Sequence, residues 1–287
     1  MISCRSLLIE NNTMPTSIIT GATSGIGLET AKGLAKEKHK LILVSRILSK
    51  LQSTKRLLDV ENNIDCDIYE YDLSLIKDNI NFYEQISKRY SDIDFLINNV
   101  GAIFMKREET IEGLEKTFSL NHMSYFVLSK LFSQQTSPIR IINVSSEAHR
   151  NTSLGFDDLQ NKRNYNGWYS YKRSKLANIY LTYELHKRLL ETKSTVNCLH
   201  PGVVNTNFAN DNALPFKIIA SLIKYFGVSP KEGSETILYL VNNNDIRNAS
   251  GLYFKKCMPV ESSRISHNQE SAEKLWDYSE EILSKYL

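Results

Sequence analysis

Two groups of residues in this chain of 287 have types and a spacing that could do chemistry. Gly21, Gly25 and Gly27 lie between a β-branched run, residues 17–20, and a helical pattern begun by Leu28, Ala31 and Leu34. A strand, a tight turn and a helix in that order present main-chain N–H groups and the positive end of a helix dipole to an anion. A Cβ at the turn would obstruct a pyrophosphate that must come close to the backbone. The spacing Gly-x3-Gly-x-Gly differs from the Gly-x-Gly-x2-Gly dinucleotide fingerprint but serves the same geometry. The second group is Tyr171 and Lys175, a phenol and an amine at i and i+4 on one face of a predicted helix. Taken alone, that pair reads better as the ordinary surface pair of an amphipathic helix.

The elements that must position these groups follow from the pattern of apolar runs. Residues 40–45 are a second strand, and Arg46 stands just past its end with no acidic residue there. A dinucleotide-binding unit usually carries Asp or Glu about 20 residues beyond its glycines to hold the adenosine ribose hydroxyls, whereas an arginine accommodates a 2′-phosphate. Ser45 and Arg46 therefore predict NADP(H) in preference to NAD(H). Residues 48–58 read as helix and 67–71 as a third strand, followed by Asp72 and Leu73. Asp72 could face a ligand crevice, meeting an adenine amino group, or cap the helix predicted over 76–90. A fourth strand, 93–97, runs into Asn98-Asn-Val-Gly101. Asparagine side chains there would tie the loop to backbone and leave the main chain to line a cofactor, or form a plain turn.

Residues 114–132 are predicted as one long helix with Asn121 in its interior, a poor helix former that needs another partner. A fifth strand, 139–144, ends at Ser145 and Ser146, and the polar stretch 147–166 reads as a surface excursion too hydrophilic for core. Then come a helix over 171–190, a strand over 194–199 ending in His200-Pro-Gly202, and an apolar helix over 213–228 whose polar stripe is Lys217, Ser221 and Lys224. A helix over 229–241, a strand over 251–254 and a helix over 270–283 close the pattern. Alternating strands and helices without repeat or long linker predict an α/β, Rossmann-type doubly wound parallel sheet of about seven strands with helices on both faces. It occupies residues 16–287 as one domain, with a substrate lid around 207–232.

Composition narrows the function classes. A formal charge of +3 with scattered Lys and Arg gives no case for nucleic acid. Cys4, Cys66, Cys198 and Cys257 are widely separated, with no Cys-x2-Cys pair and no His cluster, which predicts a reducing compartment and no structural metal. The apolar run Leu7-Leu-Ile9 is too short for a secretory segment or a membrane span. Residues 1–15 read as an extension, with Met14 a possible functional start. A cytoplasmic monomer or homodimer is expected, with peripheral membrane contact open to 213–228.

Taken together, Thr20-Gly-Ala-Thr-Ser-Gly-Ile-Gly27, Asn98-Asn-Val-Gly101, Asn121, Ser145-Ser146, Tyr171-Lys-Arg-Ser-Lys175 and Pro201-Gly202 resemble the short-chain dehydrogenase/reductase family, in order and over nearly the whole chain. Within it, Ser45-Arg46, Ser174-Lys-Leu-Ala-Asn178 and Leu199-His-Pro-Gly202 are most similar to the retinol-dehydrogenase-like branch. The resemblance implies Tyr171 as general acid/base, Lys175 beside it to lower the phenol pKa and hold the nicotinamide ribose, Ser146 to hold the substrate oxygen, and Asn121 to position a water. It implies a dinucleotide against Gly21, Ser24, Gly25, Ile26, Gly27, Ser45, Arg46, Asp72, Leu73, Asn99, Gly101, Tyr171, Lys175, Pro201, Gly202, Val204 and Thr206. Val100 stands where the family commonly has alanine, and the interval 147–170 is longer than in many relatives. Tyr169, with Arg173 at i+4, is a decoy, since arginine does not give up its proton.

The implied activity is interconversion of an alcohol and its carbonyl, with a lipophilic, retinoid-, steroid- or lipid-like substrate suggested by the apolar 213–228 segment. Reduction of a carbon–carbon double bond on the same fold, and a dinucleotide-binding regulator with little turnover, are the alternatives.

Overall fold

The computed structural model describes residues 14–62, 64, 66–202 and 228–287. Strands β1 (Thr16–Thr20), β2 (Lys40–Ser45), β3 (Asp67–Glu70), β4 (Phe95–Asn98), β5 (Arg140–Val144), β6 (Thr195–His200), β7 (Tyr253–Lys255) and β8 (Met258–Pro259) form one sheet in the order 3-2-1-4-5-6-7-8. Every pairing from β3 to β7 is parallel, and β8 runs back antiparallel to β7. The strands are apolar on both sides because both faces are covered. Ile18, Ile42 and Leu96 enter one core, while their neighbours Ile19, Leu43 and Ile97 enter the other.

Helices α1 (Gly25–Lys36), α2 (Leu48–Asn62) and α7 (Pro230–Asn242) cover the second core. Gly33 lets α1 and α7 approach closely, since a Cβ there would meet the Leu238 side chain at 2.6 Å. The first core lies under α3 (Ile76–Arg89), α4 (Lys116–Phe118), α5 (Ser124–Phe132), α6 (Gly167–Arg188) and α8 (Gln269–Leu283). The doubly wound sheet is as expected, with boundaries within a few residues.

Four features differ from the sequence reading. The sheet has eight strands rather than about seven, because Lys256 and Cys257 both take left-handed φ values, 50° and 61°, and turn the chain straight back into β8. That is the geometry of a two-residue hairpin, usually marked by Asn-Gly. The helix over 114–132 is interrupted by a π-helical turn, Ser119–Met123, between α4 and α5. Helix α6 starts at Gly167, capped by Asn166, whose side chain accepts the Tyr169 N–H at 2.9 Å. Gly167 is required there, because a Cβ would sit 2.3 Å from the Phe104 carbonyl oxygen. Finally, the polar stretch 147–166 is not wholly surface, since Leu154, Leu159 and His149 are buried. Arg173 holds it in place through the Ser153 and Asp158 carbonyls and the Asn161 side chain.

Candidate active site

The sheet order reverses between β1 and β4, and the crevice at the carboxyl ends of the strands there is where ligands bind in such sheets. The glycine turn after β1 is folded against the end of β4. Gly21 and Gly25 take left-handed φ values of 69° and 55°. At Gly27 a Cβ would sit 2.4 Å from the Gly21 carbonyl oxygen and 2.5 Å from Asn99 Nδ2. Asn99 is a clip, its Nδ2 donating to the Thr20 carbonyl at 2.9 Å. The Thr20 hydroxyl in turn accepts the N–H groups of Asn99 and Val100 at 2.9 and 3.0 Å. The Asn99 Nδ2 and main-chain N–H are therefore committed to the turn. Ser24, exposed at the start of α1, makes no capping bond, and Ile26 is half-buried against the core. A glycine turn folded this tightly and running straight into the first turn of α1 fits the binding of a pyrophosphate on main-chain N–H groups.

Arg46 stands exposed at the carboxyl end of β2 and makes no ion pair among the described residues, while Ser45 is half-buried. Of the two readings of Asp72, one oxygen is committed locally: Oδ1 accepts the Ser74 N–H and hydroxyl at 3.0 and 2.8 Å. The Leu73 side chain lies in the core and its carbonyl accepts Asn79 Nδ2 at 2.9 Å, so that side chain is not available to a cofactor. Pro201 and Gly202 follow β6, with Gly202 at a φ of 94°. Val204, Thr206, the helix over 213–228 and most of the lid lie outside the described residues.

The reactive cluster assembles where β5 and α6 meet. Ser146 follows β5, and its hydroxyl oxygen accepts the Ala148 N–H at 3.1 Å. Lys175 is buried, donates from Nζ to the Val144 carbonyl at 2.9 Å, and lies 5.6 Å from the centre of the Tyr171 ring. A Cβ on Gly101 would be 3.5 Å from that Nζ, which brings the β4 loop to the same point. Asn121 sits in the π-helical turn, an irregularity that frequently marks functional sites. Its Oδ1 accepts the Ala102 N–H at 2.9 Å, and its Nδ2 donates to the Ala102 carbonyl at 2.9 Å and to Ser174 Oγ at 3.0 Å. The amide is fully used in tying the β4 loop to α6, so a water held at this residue would rest on its main chain.

Electrostatically the pair departs from expectation. Burial pushes the Tyr171 phenol up to about 12, against a hydrogen bond with Ser146 that pulls it down. Burial alone brings the Lys175 ammonium down to about 7. The chain's own groups therefore do not produce the lowered phenol expected from a neighbouring ammonium, because the same desolvation that raises the phenol discharges the amine.

Sequence reasoning gave no role to Tyr125. The buried Tyr125 hydroxyl donates to the Val100 carbonyl at 2.9 Å, and Lys175 Nζ lies 5.5 Å from its ring. Its position at i+4 from Asn121 was the available signal. Tyr169 is exposed, with the Arg173 guanidinium 4.6 Å over its ring.

A crevice of this kind, with a glycine cradle, a serine at a strand end and a tyrosine–lysine pair on one helix, defines a dinucleotide-dependent oxidoreductase site. The short chain dehydrogenase family profile matches residues 15–214. Human retinol dehydrogenase 14 is 33% identical over 285 residues, covering 92% of this chain and 85% of the relative. Mouse retinol dehydrogenase 12 is 33% identical over 270 residues, covering 93% and 85%. Among solved structures, an uncharacterised Mycobacterium paratuberculosis protein superposes with a TM-score of 0.76 at 26% identity, covering 94% of this chain and 93% of that one. An Escherichia coli chain described as a short chain dehydrogenase complexed with NADPH gives 0.66 at 20% identity, covering 84% and 96%. The chain belongs to the short-chain dehydrogenase/reductase family, in its retinol-dehydrogenase-like branch, and is an oxidoreductase acting on CH–OH groups.

Proposed function

We propose that this chain is an NADP(H)-dependent enzyme interconverting a lipophilic alcohol and its aldehyde or ketone. The observation that carries the reading is the meeting of the Gly27 cradle with Ser146, Tyr171 and Lys175 at one end of the sheet. Arg46, exposed beside the cradle, would hold a 2′-phosphate. The retinol dehydrogenases among its relatives and the NADPH in the Escherichia coli structure support a retinoid-like substrate class and the phosphorylated cofactor.

When bound, the dinucleotide supplies or takes up the hydride. Ser146, whose oxygen already accepts a main-chain N–H, turns its own proton toward the substrate oxygen and fixes it. Tyr171 gives that oxygen its proton in reduction and removes it in oxidation. At about 12 it is poised as the acid. Lys175 would hold the nicotinamide ribose and, once charged, would favour the phenolate. Residues 16–287 form one domain in this reading, with 207–232 as the lid over the substrate. Among the described residues no helix is long and apolar enough to cross a membrane.

Purified wild type and Tyr171→Phe, assayed with NADPH and NADH against lipophilic aldehydes and ketones, test it. Turnover preferring NADPH is expected, with a fall of about 10²–10⁴ in kcat for the variant. Tight NADPH binding without turnover would point to the regulator instead, and binding of neither nucleotide would remove the whole reading.

A further inference from the structure

Both polar atoms of the peptide unit joining Ser146 to Glu147 are gripped by imidazoles. The Ser146 carbonyl oxygen lies 2.6 Å from Nδ1 of His149, and the Glu147 N–H donates to Nδ1 of His200 at 3.2 Å. The two rings arrive from different elements. His149 closes the 3-10 turn Glu147–His149, while His200 ends β6. They are 0% and 5% exposed.

Their partners fix both tautomers. Nε2 of His149 accepts the main-chain N–H of Ser263 at 3.0 Å, so its proton is on Nδ1, donating to Ser146. Nδ1 of His200 is an acceptor, so its proton is on Nε2. His200 holds the peptide only while neutral, and His149 keeps both of its bonds only while neutral. The charges facing them are already matched to one another. The Glu147 carboxylate accepts from Arg150 Nε at 3.0 Å and from the Tyr253 hydroxyl at 3.1 Å, with Lys255 Nζ at 3.6 Å. The Tyr253 ring packs edge-on against His149 at 5.2 Å. Neither imidazole is needed as a counter-ion.

We propose that His149 and His200 are the positioning residues of Ser146, fixing the plane of the 146–147 peptide and with it the direction in which the serine hydroxyl points. The inference rests on the role given to Ser146 above. The plane also aims the Ala148 N–H at the serine oxygen, since all three residues belong to one turn. A proton added to His200 would land on Nδ1, set N–H against the Glu147 N–H and release that end of the peptide, whereas one added to His149 would land on Nε2 and break its bond with Ser263 while Nδ1 still donates to Ser146. Burial lowers both rings, His200 to about 4. The fold thus favours the neutral forms, and the His200 half of the grip is complete above the ordinary histidine value of 6.5 and fails as pH falls toward 4.

Two measurements on the full chain test this. Nitrogen-15 NMR of histidine-labelled protein is expected to show opposite tautomers, Nδ1–H on His149 and Nε2–H on His200. The same tautomer on both would overturn the proposal. In kinetics on an aldehyde that wild type reduces, His149→Phe and His200→Phe keep the ring but lose its nitrogens. Each is expected to lower kcat at least about tenfold while the NADPH Kd stays within about twofold. His149→Asn keeps a donor and His200→Asn keeps an acceptor at the Nδ1 position, and each is expected to recover most of the loss. A Phe variant with unchanged kcat, or an Asn variant no better than its Phe counterpart, would overturn it. Should a Phe variant fail to fold, the Asn variant against wild type and the tautomers decide. If wild type reduces no aldehyde, the proposed activity fails while this inference is still decided by amide exchange at Glu147. Faster exchange in His200→Phe supports the grip, and unchanged exchange removes it.

Discussion

At Lys175 a charge is held where the chain alone gives it little support. Its ammonium donates to one carbonyl, is otherwise enclosed by the rings of Tyr125 and Tyr171, and is brought by burial from 10.5 to about 7. A base whose value is lowered on folding binds fewer protons than the unfolded chain, here between about pH 7 and 10.5. Its contribution to stability is therefore complete above 10.5 and is lost as pH falls toward 7. A nicotinamide ribose at Lys175 would supply acceptor oxygens and favour the charged amine. Binding of NADPH near pH 8 is then expected to take up most of one proton, read by calorimetry in buffers of different ionisation enthalpy. Lys175→Met is expected to bind without that uptake, and equal uptake in both proteins would show that another group titrates. The same argument explains why the adjacency of Tyr171 and Lys175 was legible in sequence but their pKa directions were not. Spacing reveals that two groups are neighbours, whereas the sign of each shift depends on how much water the surrounding fold removes.

Among the elements, the glycine turn carries the sharpest geometric demand. Within a helix, replacing glycine by alanine usually stabilises by about 0.5–1 kcal/mol. At Gly27 that gain meets a contact of 2.4 Å with the Gly21 carbonyl and 2.5 Å with the Asn99 clip, both tied to backbone. Forced overpacking of this kind costs typically about 1–3 kcal/mol, so the turn must open. Gly27→Ala is expected to weaken NADPH binding at least about tenfold in a fluorescence titration while the unfolding midpoint changes little. An affinity within twofold of wild type would show that the turn does not form the cradle. The elements that sequence made plain are those whose signal is local. Runs such as residues 40–45 alternate between two cores and announce a strand buried on both faces. The elements it missed depend on what lies across the fold. Lys256 and Cys257 turn left-handed because β8 pairs there, and the π-helical turn forms where Asn121 must reach Ala102 and Ser174. Likewise α6 begins at Gly167 because only glycine passes the Phe104 carbonyl, a neighbour 63 residues away in the chain. Nothing in the stretch 147–166 reveals that His149 will be buried, since its partners are Ser146 and the distant Ser263.

Across the whole molecule, the C-terminal helix α8 reaches the site without touching it. Its apolar face lies over the π-helical turn and α5: Trp276 packs edge-on to Phe126 at 5.0 Å, Tyr278 to Phe118 at 6.0 Å, and Ser279 Oγ lies 3.1 Å from His122 Nε2. The Arg188 guanidinium covers Trp276 at 4.1 Å, and Lys130 pairs with Glu280. Phe118 and His122 flank Asn121 on the same stretch of chain, so the outer helix backs the turn that ties the β4 loop to α6. Replacing a buried tryptophan by alanine costs about 3–5 kcal/mol, and in a chain of this size each kcal/mol lowers Tm by about 2–4 °C. Trp276→Ala is therefore expected to lower Tm by on the order of 10 °C. The cradle lies on the far side of β4 from this helix, so the NADPH Kd is expected to hold while kcat falls as the Asn121 turn loosens. A variant that loses stability but keeps kcat at a temperature where it is folded would confine α8 to packing. A parallel fall in NADPH affinity would mean that the helix supports the whole sheet edge rather than the turn alone.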